Sequence, residues 1–312
     1  MSVAEKRPLA EASHVMAALQ RIWQGARLNW ATTTGAVIVL VAIGAAIFAP
    51  LIAPYDPIEI AIENKLLPPS AEFWLGTDHG GRDILSRVIW GARASLTVSL
   101  LAVVIGVTGG VLIGLFAAYH SGSWVEQIVM RAIDAIASIP LLIWAIAIIG
   151  IVGVDSVGIG PFTFTNVHKL LILIGLLYMP TLARITHAVA QVEMTSDYVK
   201  ARRVQGAGNL AIMFGDVLPN CLSPLIVQAT LLVAIGIVVE ASVSFVGLGV
   251  QPPTPSWGSM LADARNYVFS GEWWMPVFPG AAISLTVIGF NLLGDGLRDV
   301  LDPRRSTGRL LT

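Results

Sequence analysis

Charge is what this sequence has least of. Only 12% of its 312 residues are Asp, Glu, Lys or Arg, whereas 55% are hydrophobic; an ordinary soluble domain carries about 25% charge. So sparse a supply cannot cover a water-facing surface. Nineteen basic residues against twenty acidic ones leave a net charge of -1, so no global basic field argues for nucleic acid as a partner. Cys221 is the only cysteine, which excludes an internal disulfide and a cysteine-cluster metal site. The five histidines form no H-E-x-x-H pattern, and no nucleophile and base stand in an obvious motif. No catalytic residue, metal ligand or cofactor site is therefore predicted. The first thirty residues carry Lys6, Arg7, Arg21 and Arg27 among acidic and polar groups, without the early apolar core of a cleavable secretory signal.

What the sequence does have is a series of long uncharged intervals. A charge near the bilayer centre is costly, and a helix satisfies its own backbone groups, so each interval of about 20 residues predicts a membrane-spanning helix. The expected organisation is a cytoplasmic segment over 1–31, a first span over 32–54 and an external loop with a short amphipathic helix over 55–94. A core over 95–297 follows, with spans at 95–118, 133–153, 169–190, 222–246 and 275–296 and a cytoplasmic tail over 298–312. The fold class is thus all-α, a polytopic membrane protein with six transmembrane helices. Arg184 falls inside the fourth span, where its guanidinium either snorkels to the interface or faces a hydrated lumen. Residues 247–274 are also uncharged in large part, but Pro252, Pro253 and Pro255 assign them to an external loop. Trp257, Trp273 and Trp274 are expected there as interfacial anchors.

Six spans put both termini on one side. Placing them inside gathers thirteen of the nineteen Lys and Arg residues in the cytoplasm, as the positive-inside rule requires. Gly106, Gly110 and Gly114 recur every four residues on the second span, a stripe for close helix approach whose simplest use is packing within the chain.

A transporter takes its energy from ions or from a nucleotide. The phosphate loop G-x-x-x-x-G-K-[ST] is absent, because Lys6, Lys65, Lys169 and Lys200 each lack a preceding Gly. Ion coupling favours acidic residues deep in several spans, yet Glu240 is the only carboxylate clearly within one. The informative segment lies between spans four and five, in the loop at 191–221, where residues 193–220 read EMTSDYVKARRVQGAGNLAIMFGDVLPN. A helix is predicted from Ser196 or Asp197 to a stop at Gly206 or Gly208, with Tyr198, Val199 and Arg202 on one face. A second helical stretch leads to Pro219. Such a short helix is either ordinary loop structure or a knob that docks on another protein.

This segment resembles the cytoplasmic loop of permease subunits from binding-protein-dependent ABC importers. That family has Glu-Ala-Ala, three residues, Gly and, about a dozen positions later, Leu-Pro; here Lys200-Ala201-Arg202, Gly206 and Leu218-Pro219 hold those places. APLIAPYDP at 49–57, LGTDHGGRDILSRVIWGARASL at 75–96, SFVGLGVQPPTPSWGSML at 244–261 and NLLGDGLRDVLDPR at 291–304 are similar to the peptide/nickel subfamily, in particular the C-type permeases of dipeptide and oligopeptide importers. The resemblance implies a type I ABC importer transmembrane fold in the bacterial cytoplasmic (inner) membrane, with membrane lipid around it. It implies three kinds of partner: a homologous second permease, two ATP-binding subunits that perform the hydrolysis, and an external periplasmic or lipid-anchored substrate-binding protein. The implied cargo is a di- or oligopeptide or a related small solute. Tyr198, Ala201, Arg203, Gly206, Leu218 and Pro219 are the implied ATPase-coupling positions. Glu240 is a candidate to line the substrate path and attract a peptide amino terminus, or to pair with the sister subunit or outer water. Asp78, Arg82 and Asp83 either touch the delivery protein or order their loop by salt bridges. The alternatives are an ion-coupled secondary transporter and a membrane-embedded enzyme.

Overall fold

The computed structural model describes residues 30–159 and 162–301. The basic residues at 6, 7, 21, 27, 304, 305 and 309, and most of the expected terminal segments, lie outside the described residues. Among the described residues five helices are long and apolar enough to cross a membrane: α1 (Trp30–Ile52), α2 (Ile84–Tyr119), α5 (Asn166–Met194), α7 (Asn209–Phe245) and α9 (Trp274–Leu301). The sixth is a bent pair, α3 (Trp124–Ala137) and α4 (Leu141–Val152), whose axes meet at 82°. Among the described residues two short α-helices lie outside these spans, α6 (Asp197–Val204) and α8 (Trp257–Ala264), together with a single 3-10 turn at Ile62–Asn64. A small antiparallel hairpin, β1 (Val157–Ile159) and β2 (Phe162–Phe164), links α4 to α5 with Val157 opposite Phe164.

The third expected span, 133–153, is corrected by that bend. Pro140 lacks an N–H and disfavours helical geometry at Ile139, so an interval continuous in composition is broken in conformation. Helix α2 also differs from its expected start at 95. It begins at Ile84, where the Asp83 carboxylate caps it by accepting from the Ser86 amide at 2.8 Å and the Ser86 hydroxyl at 2.7 Å. Arg87 therefore sits in its first turn, nearly inaccessible, with its charge met by Asp78 at 3.3 Å and Asp263 at 3.4 Å. A charge marks the end of a span but not the end of a helix. Similarly, α7 starts within the expected loop at 191–221, and its foot is a π-helical stretch, Ile212–Val217. Pro219 has no N–H to give the turn before it, and the helix meets it with this wider winding.

The packing is organised on the glycine stripe. A Cβ at Gly106 would stand 2.7 Å from the Cβ of Tyr178, one at Gly110 2.6 Å from that of Leu182, and one at Gly114 2.6 Å from that of Thr186. Tyr178, Leu182 and Thr186 themselves recur every four residues on α5, and Gly175 returns the approach against Ile105 at 2.7 Å. The stripe thus serves packing within the chain. Lipid offers no hydrophobic drive to bring two helices together, so close backbone approach and dense contact must do it. Helices α1 and α9 meet in the same manner through Gly35 and Gly289. Tyr178, buried, donates its hydroxyl to the Leu232 carbonyl at 3.1 Å and ties α7 to this pair.

One end of the bundle collects the foot of α7, the end of α2, the end of α9 and the start of α1. Asn209 Nδ2 donates to Tyr119 Oη at 2.8 Å, Ser223 Oγ donates to the Leu301 carbonyl at 3.2 Å, and Gly296 packs on Thr32. Gly110→Val should destabilise the chain by about 1–3 kcal/mol through overpacking at this seam. Thermal unfolding in detergent should show that loss, while Gly150→Ala, where a Cβ meets open space, should leave the transition unchanged.

Candidate functional site

The segment between α5 and α7 is built by local rules. Helix α6 begins after Ser196, and its outgoing chain closes with two bonds. The Gly206 amide donates to the Arg203 carbonyl at 3.0 Å and the Ala207 amide to the Arg202 carbonyl at 3.1 Å. These are the paired bonds of a Schellman stop. Gly206 has φ +82°, the left-handed region that glycine enters freely, and nothing lies within 4 Å of a Cβ built there. Its requirement is therefore conformational. Added bulk would meet solvent.

One face of α6 is anchored and the other is free. Val199 is fully buried in the core. Tyr198 Oη donates to Glu193 Oε2 at 2.6 Å and accepts from Asn220 Nδ2 at 3.0 Å, and Asn220 Nδ2 also donates to the Asp216 carbonyl at 3.1 Å. Burial, and then the bond to the Glu193 carboxylate, push the Tyr198 phenol above its ordinary range, which keeps it a donor. The two cations that replace the usual loop residues carry their own counter-charges. Lys200 pairs with Asp197 at 2.9 Å and Arg202 with Asp216 at 3.1 Å. Outward stand Ala201 and Arg203, with Val204 90% exposed and Leu210 71% exposed on either side of the Gly206 turn. The product is a rigid projection with an apolar, basic tip.

Tyr198, Ala201, Arg203 and Gly206 are thus gathered on α6 and its stop, while Leu218, half-buried, and Pro219, exposed, lie at the foot of α7. Glu240 is elsewhere and wholly enclosed. Its Oε2 accepts from Ser95 Oγ and its Oε1 from Ser244 Oγ, both at 2.7 Å. Ser244 Oγ in turn accepts from the Val250 amide at 3.1 Å, so the carboxylate braces α2, α7 and the segment before α8. Asp78, Arg82 and Asp83 are also structural in their contacts. Arg82 Nε lies 2.7 Å from Asp78 Oδ2 and its Nη2 3.6 Å from Asp263. Two of the tryptophans expected as interfacial anchors are instead buried pegs. Trp257 donates to the Val88 carbonyl at 2.9 Å and Trp274 to the Thr77 carbonyl at 3.1 Å; only Trp273 of the three is exposed.

A family model described as the binding-protein-dependent transport system inner membrane component matches residues 110–307. The chain belongs to this family. A second model, the N-terminal transmembrane domain of oligopeptide transport permease C, matches residues 18–69. The chain is 44% identical over 292 residues to a di/tripeptide transport system permease protein DppC of Pseudomonas aeruginosa, covering 92% of each. It is 42% identical over 310 residues to a dipeptide transport system permease protein DppC of Escherichia coli K12, covering 97% of this chain and 99% of the other. A dipeptide permease DppC of Alkalihalophilus pseudofirmus is 39% identical over 276 residues, covering 88% and 86%. This is a multi-pass inner-membrane permease subunit of an ABC importer, a system that also comprises a partner permease, ATPases and a binding protein.

Within the permease, sequence reasoning missed Glu193, Asp216 and Asn220 as the struts of the projection and Val204 and Leu210 as its tip. The signal available was two apolar residues flanking a Gly-Ala-Gly turn in an otherwise polar stretch. Gly206→Ala should strain the stop by about 1–2 kcal/mol. Hydrogen exchange should then quicken roughly tenfold at the amides of residues 206 and 207, whereas Gly208→Ala, at φ -68°, should leave it unchanged.

Proposed function

We propose that this permease forms half of the path for di- or oligopeptides, or a related small solute, and that α6 is the element through which two ATP-binding subunits drive it. The observation that carries the coupling role is the exposed tip of α6, held from behind by Val199, Tyr198 and Arg202. A short helix fixed on one face and apolar on the other transmits force without bending, and exposed apolar residues at a fixed projection suit a groove on a partner. Ala201 allows close approach, Arg203 offers a charge to an acidic rim, and Leu218 and Pro219 carry the displacement into α7.

The same reading places α6, and with it both termini, in the cytoplasm, and the external binding protein at the opposite end, near α8. The cargo class is inferred from the relatives, which are permeases of dipeptide and di/tripeptide transport systems. Hydrolysis of ATP belongs to the partner subunits, and this chain supplies the moving wall. Glu240, engaged at both oxygens by serines, is assigned to bracing that wall rather than to contact with cargo.

Val204→Asp places a charge at the centre of the tip without touching the struts. In vesicles holding the complete importer, ATP-dependent dipeptide uptake should fall at least tenfold while this chain still co-purifies with its partner permease. Uptake at the wild-type rate would remove α6 from the coupling role.

A further inference from the structure

The bend between α3 and α4 is the least protected part of the bundle. Residues 134–140 are all exposed, and the bend's own side chains patch only part of its backbone. Ser138 Oγ donates to the Ala135 carbonyl at 2.7 Å, and Trp144 Nε1 donates to the Ile136 carbonyl at 3.0 Å. Beside it Asp134 meets Arg184 of α5 at 2.9 Å, with the two side chains 63% and 46% exposed.

The depth of this pair makes its exposure informative. Helix α5 has 29 residues and is about 44 Å long, and Arg184 stands about 15 Å from its α6 end. A hydrocarbon core of about 30 Å centred on the helix covers that level. Helix α4, with 12 residues, rises only about 18 Å beyond the bend, so it too starts within the core. Irregular backbone and ionised groups are tolerated at such depth only against protein or water. Lipid is thereby excluded as the cover. A dry protein interface would add desolvation to an ion pair already satisfied within the chain, whereas water adds none.

We infer that the α3–α4 bend, with Asp134 and Arg184 beside it, forms part of the wall of the hydrated path through the assembled importer. The inference rests on the transport reading above and adds where the path runs along this chain. The Asp134–Arg184 pair itself carries no net charge. It accommodates a solute carrying both an ammonium and a carboxylate without holding either strongly, as passage requires. Ile136 and Ile139, exposed beside the pair, make the remaining surface apolar. They give uncharged cargo side chains a smooth passage.

Thiol labelling tests this in the assembled complex in vesicles. Thiolate forms in water, so a charged, membrane-impermeant thiosulfonate reports hydration; the buried Cys221 sets the baseline. Ser138→Cys, with Ile139→Cys as a second reporter, should react at least tenfold faster than Leu40→Cys, which lies midway along α1 and is 67% exposed. After unfolding in SDS a maleimide should label all three, which confirms that each thiol is present. Charged-reagent rates equal to that of Leu40→Cys would overturn the inference in favour of lipid. A thiol at residues 138 and 139 that the charged reagent does not label at all before unfolding would overturn it in favour of a sealed protein contact. ATP-dependent uptake measured in the same vesicles separates the two readings. Its absence in the unsubstituted complex would count against the transport function, and its presence with unreactive thiols against the location of the path.

Discussion

Close approach of α2 and α5 is the constraint on which the rest of the bundle depends. Three glycines on one helix face three side chains at the same spacing on the other, and each missing Cβ is replaced by an atom of the partner. Because apolar surface gains nothing by leaving lipid for another apolar surface, such contacts carry specificity that burial supplies in water. The pair then acts as a mast. Tyr178 and Glu240 tie α7 to it, while Arg184 and His187 reach from it to Asp134 and Glu126 on α3.

Polar groups inside this frame divide by what they touch. Glu240, Asp78 and Arg87 are enclosed and answered by partners within the chain, and a buried polar group of that kind is expensive to leave unpaired. Asp134, Arg184, Lys200 and Arg203 are open. The first group holds elements in register, and the second belongs to surfaces that another molecule or water completes. Burial, more than residue type, separates the braces from the working surface.

Much of this was readable before any coordinates. Uncharged intervals located the long apolar helices, the four-residue glycine spacing marked the seam between α2 and α5, and Gly206 marked the stop of α6. What escaped was set by contacts distant along the chain. Arg87 enters a helix because Asp78 and, 176 residues away, Asp263 meet its charge, and Glu240 is enclosed because Ser95, 145 residues away, donates to it. Trp257 and Trp274 read as interfacial from composition, but the carbonyls of Val88 in α2 and of Thr77 just before it claim their indole N–H groups. The bend at Pro140 was hidden for a different reason. A proline within an apolar run changes geometry without changing hydropathy, so charge spacing passes over it. The tip of α6 was overlooked because single exposed apolar residues are ordinary in loops.

The continuity of α7 has a mechanical consequence. Its 37 residues form a rod about 55 Å long, so a tilt of about 10° at the foot carries the far end roughly 10 Å sideways. That far end is pinned to α2 through Glu240 and leads straight into the segment before α8. The π-helical winding at Ile212–Val217 sits at the opposite end of the rod, next to α6, where a change of pitch would rotate everything above it. On the coupling role proposed above, the helix is a lever with its handle beside α6, so that a displacement of a few ångströms at one end of the bundle would be felt at the other.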